Sequence, residues 1–209
     1  MDAELERWKS GGQYFDYLGF DVFYRKQGSG PTLLLIHGYP FNSWDWASLW
    51  DRLTDRLTVV APDMLGMGLS DKPEKYEYTV HDHADMHEAL MSDLGLGSAH
   101  ILAHDIGDSV GQELLARREF GQQIYGALRI ESITWLNGGM FNETYTPRLL
   151  QKVLSRTPLG DLLSPLQANP MSWRLIEPTI NEVFRSDTKP SRRMLDCSTR
   201  SSPTTTASG

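Results

Sequence analysis

The chain has 209 residues, 40% hydrophobic and 22% charged, which suits one sizeable globular domain. Its formal net charge of −7 argues against a nucleic-acid or anionic-membrane surface, and its single cysteine, Cys197, excludes an internal disulfide. No apolar run approaches the roughly 20 residues that cross a bilayer, and the charged start MDAELERWKSGG has no leader-like apolar core, so the expected setting is soluble and cytoplasmic.

The segment YFDYLGFDVFYRKQGSG (14–30) predicts two short strands turning at Leu18-Gly19. PTLLLIHGYP (31–40) carries four consecutive apolar residues between turn formers, the pattern of a strand buried on both faces. SWDWASLWDRL (43–53) sets Trp46, Leu49, Trp50 and Leu53 at helical spacing, with Ser43 as the cap. LTVVAPDMLGMGLSD (57–71) predicts a buried strand entering a glycine-rich loop. YTVHDHADMHEALMSDLGLG (78–97) predicts a helix stopped by Gly95 or Gly97. AHILA (99–103) is the next strand, 106–118 the next helix, and ALRIESITWLNGG (127–139) a further strand and loop. Such alternation implies an α/β domain with a mainly parallel sheet and helices on both faces. After Gly139 the sequence shows short amphipathic pieces broken by prolines, and SSPTTTASG (201–209) is low-complexity.

In open parallel sheets, ligands bind beyond the carboxyl ends of the strands. Three loops belong there: HGYP, DMLGMGLSD and HDIGD. The last contains two competing nucleophiles. Asp105 directly follows a strand, with Ala103 and Gly107 two residues to either side, as a strained strand-to-helix turn requires. Ser109, inside Gly107-Asp108-Ser109-Val110-Gly111, matches the G-x-S-x-G spelling but falls a turn into the helix. Register and sterics favour Asp105, with Ser109 as the alternative and a helix N-cap as the plain structural role for Asp105. An aspartate nucleophile attacks a saturated carbon and forms an alkyl ester. The charge that develops when water attacks that ester needs backbone donors, for which the N–H groups of Ile106 and Tyr39 are placed. His104 and Asp108 adjoin the nucleophile, and His37, Gly38 and Pro40 lie on the facing loop as substrate contacts. The His37 ring also suits fixing that loop by hydrogen bonds. Trp44 and Trp46 read as core. His81, His83 and His87 lack an H-E-x-x-H pattern and a placed third ligand, so neither a metal nor a cofactor is expected.

On HGYP, APDMLGMGLSDKP and AHDIGD, in this order and spacing, the chain resembles the α/β-hydrolase superfamily in its epoxide hydrolase and haloalkane dehalogenase branch. The resemblance spans roughly residues 8–190. It implies a hydrolase core with a helical cap after the sixth strand, Asp105 as nucleophile, and Tyr39 and Ile106 as the oxyanion hole. Residues 1–139 would be the N-terminal portion of that core, 140–190 a partial cap, and 191–209 a disordered or aberrant tail. The family's dehalogenases carry tryptophan where Ile106 stands. Its epoxide hydrolases use cap tyrosines, for which this chain offers Tyr145. Asp108 replaces a small residue and adds a second carboxylate near the site. The family's acid and histidine follow the cap, whereas all six histidines here lie at or before position 104. A truncated or frame-shifted product is therefore expected, lacking the last core strands. Two further readings follow: an inactive remnant or binding module that self-associates through an exposed sheet edge, and a serine esterase using Ser109.

Overall fold

The computed structural model of the protein describes residues 3–126 and 128–138. Among them lies one six-stranded sheet, built from β1 (Gly12–Tyr17), β2 (Phe20–Gln27), β3 (Thr32–Ile36), β4 (Thr58–Pro62), β5 (Ser98–His104) and β6 (Arg129–Leu136) in the order β1-β2-β4-β3-β5-β6. β3 pairs in parallel with both β4 and β5, and β5 with β6; β1 and β2 add an antiparallel hairpin at the β4 side. The hairpin turns at Leu18-Gly19, both at positive φ, as a two-residue loop between right-twisted strands needs.

Alternation along the central strands divides the core. Leu34, Ile36 and Val60 face one side, where helices α3 (Val80–Asp93) and α4 (Ile106–Phe120) bring Met86, Leu90, Val110 and Leu114. Leu33, Leu35, Val59 and Ala61 face the other, covered by Trp8 of α1 (Ala3–Ser10), by Trp46, and by Trp50 of the short α2 (Trp50–Thr54). Helices on both faces of a mostly parallel sheet are the expected α/β architecture. The last core strands, the cap at 140–190, the tail at 191–209 and Tyr145 lie outside the described residues.

Two local expectations are corrected. Residues 43–53 do not form one helix but a single 3₁₀ turn, Ser43–Trp46, followed by α2. The cap is Asn42, whose side chain accepts the Trp44 N–H at 2.9 Å, because the Ser43 amide is taken by Asp63 and its hydroxyl accepts from the Trp8 indole. By contrast α3 stops where expected: Gly95 has φ 66°, and Leu96 N–H reaches the Met91 carbonyl at 2.9 Å, closing the helix end. No helix among the described residues is long and apolar enough to cross a membrane.

Candidate active site

β3, β4 and β5 run parallel, so the loops at their carboxyl ends share one rim of the sheet. Asp105 stands between β5 and α4 at φ 58°, ψ −119°, a conformation that non-glycine residues adopt only when their surroundings over-determine it. Those surroundings are visible. The Asp105 amide donates to the Leu136 carbonyl at 3.1 Å, tying the turn to the end of β6. At Gly107 a Cβ would lie 2.6 Å from the Ile36 carbonyl oxygen, so α4 can start this close to β3 only with glycine there. The strained turn lifts the half-buried carboxyl of Asp105 toward the loop after β3. There the Tyr39 N–H donates to Asp105 Oδ1 at 3.0 Å. The Asp105 side chain makes no cap hydrogen bond to α4. The Ile106 N–H opens α4 and belongs to the first turn, whose amides lack intrahelical partners.

The loop carrying Tyr39 is held from below. His37 is fully buried; Met64 N–H donates to its Nε2 at 2.9 Å, which leaves Nδ1–H to donate to the Gly38 carbonyl at 3.0 Å. Burial, partly offset by nearby carboxylates, moves the pKa of this ring down, so it stays neutral. Both nitrogens serve the backbone and no ring surface remains for a ligand. Gly38 is buried against Asp105 and Pro40 is half-buried beside the exposed Tyr39.

Sequence reasoning missed the clamp between the two front loops. Asp63, 1% exposed, accepts Ser43 N–H at 2.7 Å on Oδ1 and Leu69 N–H at 2.6 Å on Oδ2. Ser70 extends it, donating to the Asp63 carbonyl at 2.7 Å and accepting from Phe23 N–H at 2.9 Å. Its signal was an aspartate ending a buried strand immediately before a glycine-rich loop.

His104 ends β5, half-buried and paired with Leu136. Asp108 is buried in the first turn of α4, where its Oδ1 accepts Leu136 N–H at 3.4 Å and its carboxyl fills the space against Gly138. Burial moves its pKa up, against the pull of the Leu136 and Gly138 amides. Ser109 lies inside α4, a turn past the end of β5 and with no strand directly before it. His83 and His87 are buried in the core side of α3, and His81 pairs with Glu113 across to α4 at 2.9 Å. Among the described residues no group of three or more side chains is arranged to hold a metal ion.

The model of the family described as the alpha/beta hydrolase fold matches residues 31–158, and the chain belongs to that family. The mesoderm-specific transcript homolog protein of Bos taurus is 41% identical over 202 residues, covering 93% of this chain and 59% of that protein. LipZ of Mycobacterium tuberculosis, named as a hydrolase, is 37% identical over 163 residues, covering 78% of this chain and 55% of that one. A solved alpha/beta hydrolase fold protein from Burkholderia ambifaria matches with TM-score 0.67 at 23% identity, over 84% of this chain and 61% of that chain. The chain thus spans less than two thirds of the length of each of these proteins.

Proposed function

We propose that the protein is a hydrolase of small apolar electrophiles, epoxides or alkyl halides, with Asp105 as the nucleophile. The observation that carries this reading is the pairing of a strained, lifted carboxylate with a main-chain donor: Asp105 at φ 58°, its Oδ1 3.0 Å from Tyr39 N. With Oδ1 held, Oδ2 is the oxygen that attacks a saturated carbon. An alkyl–oxygen bond forms and the leaving group departs with the electron pair of the broken bond. Oδ1 then becomes the carbonyl oxygen of the ester and already faces the amide that stabilises an oxyanion; the Ile106 N–H supplies the second donor. Hydrolysis of that ester requires a base beside its carbonyl. Displacement of a halide needs only Asp105 and its donors, whereas the oxygen of an opened epoxide also takes a proton. Similarity to a protein named as a hydrolase supports the reading.

Intact-mass spectrometry of the folded chain after exposure to 1,2-epoxybutane or 1-bromobutane tests it. The expected result is a single adduct mapped to Asp105 and absent from Asp105→Ala. Folded protein with no adduct, or with one elsewhere, overturns the assignment. Modification of Ser109 by a chromogenic ester, surviving in Asp105→Ala, would instead establish the serine reading.

A further inference from the structure

We infer that Trp8, on the first helix, is a positioning residue for the candidate site: through Ser43 it fixes the loop whose Tyr39 amide faces Asp105. This rests on Asp105 being the nucleophile. Of the eight residues of α1 only Trp8 is buried, so the helix docks on the rest of the protein by one side chain. Where that side chain ends decides what the helix does.

The Trp8 indole is 3% exposed, and its Nε1–H donates to the hydroxyl of the buried Ser43 at 3.2 Å. Its ring meets Trp44 edge-on at 5.5 Å and Trp50 at 4.9 Å. Arg25 of β2 lays its guanidinium over Trp8 at 4.3 Å and over Trp50 at 4.7 Å. Edge-on ring pairs and a stacked cation both favour one orientation of the indole. Trp8 is thus held by β2 and α2, and its one polar atom is spent on the turn that follows the Tyr39 loop.

That loop is short. At one end the His37 ring is tied to the Met64 amide. At the other, Ser43 opens the 3₁₀ turn with its amide on Asp63 at 2.7 Å and its hydroxyl on Trp8. Residues 38–42 run between these anchors outside any helix or strand, with one turn bond from the Phe41 N–H to the Gly38 carbonyl at 3.1 Å. A displacement of Ser43 therefore reaches Tyr39, whose N–H donates to Asp105 Oδ1 at 3.0 Å. Asp63 holds Ser43 at its backbone alone, which leaves the residue free to swivel. Trp8 supplies the second fixed point and stops that rotation. Loss of the Ser43 hydroxyl would leave a buried indole N–H unpaired, and the pair would part.

The experiment uses the full chain with Trp8→Phe, Ser43→Ala and the double change, with the folded fraction of each measured by urea denaturation. Ser43→Ala keeps every ring in place, so the test stands even where Trp8→Phe fails to fold. Alkylation of Asp105 by 1-bromobutane, followed by intact mass, should slow about tenfold per folded molecule in each single variant, as for a shift of about half an ångström where about 1 Å costs about 100-fold. The double variant should also lose about tenfold, because the two changes break one contact. The Tyr39 amide proton, followed by NMR at neutral pH, should move upfield in each variant toward its position in Asp105→Ala, as its bond to the carboxylate weakens. Variants that lose stability but keep the parent rate show a purely structural indole and overturn the inference. A slower rate with an unmoved Tyr39 resonance overturns it too, as do losses that multiply in the double variant. Each of these leaves Asp105 in place. No adduct with the parent chain overturns the nucleophile and, with it, this inference.

Discussion

A Cβ added to Gly38 would lie 2.5 Å from Cβ of Asp105 and 3.2 Å from its Oδ1. The loop that carries the Tyr39 amide and the turn that carries Asp105 are thus packed backbone to side chain, with nothing between them. Asp105 cannot yield by rotating, because its Cβ is fixed by a backbone already held to Leu136. Gly38→Ala should separate the two elements, lengthening the Tyr39 N–Asp105 Oδ1 contact. A misplacement of about 1 Å at a reacting group typically lowers the rate about 100-fold. The alkylation rate of Asp105 should fall by that factor while the far-ultraviolet circular dichroism stays that of the parent. An unchanged rate would show that the contact between these residues has no bearing on reactivity.

Asp63 is the residue on which both front loops depend. Asp63→Ala would strand the Ser43 and Leu69 amides, and each buried amide left unpaired costs about 1–3 kcal/mol. Urea denaturation should show a loss of about 2–4 kcal/mol. Asp63→Asn keeps one acceptor oxygen and should lose about half as much. A loss under 1 kcal/mol for the alanine variant would mean that water replaces the carboxylate.

The strands were legible because their chemistry is local: four apolar residues in a row at 33–36, alternation at 20–25, glycine at 95. The strained turn at Asp105 was legible for the same reason, since Ala103, Asp105 and Gly107 state its steric demand by themselves. The turn at 43–46 was not. Trp46, Leu49, Trp50 and Leu53 have helical spacing, but the amide that would start a helix at Ser43 is taken by Asp63, 20 residues away. Local periodicity cannot report a competitor that distant.

Arg117 joins α4 to α3. It is 5% exposed and donates to Glu113 at 2.7 Å, to the His81 carbonyl at 2.9 Å, and to Asp85, with Glu88 at 3.6 Å. Glu88 is 2% exposed, and burial moves its pKa up despite the arginine and the Ile124 amide. Arg117→Met would leave that carboxylate buried without its cation, a change worth about 3–5 kcal/mol. Glu88→Gln removes the charge that suffers. In the double variant the loss should shrink by at least 1 kcal/mol relative to the sum of the single changes. Additive losses by urea denaturation would show that Glu88 does not depend on Arg117.

His83 and His87 make the fold sensitive to acid. His83 is 3% exposed and His87 is fully buried; His87 Nδ1 donates to the His83 carbonyl at 2.6 Å. Burial lowers His83 to about 4 and His87 to about 3, from 6.5. The sign follows from proton binding. Between pH 6.5 and these folded values the unfolded chain binds a proton at each ring and the native protein does not. The stability conferred by the neutral rings is therefore complete above pH 6.5 and drains away as pH falls. Each such histidine contributes a slope of about 1.4 kcal/mol per pH unit. Stability from urea denaturation should hold between pH 7 and 8 and fall steeply from pH 6 to 5. His87→Met, apolar and of similar volume, should reduce that slope by about 1.4 kcal/mol per pH unit, the share of one proton. A slope that His87→Met leaves unaltered would show that this ring accepts its proton in the folded state.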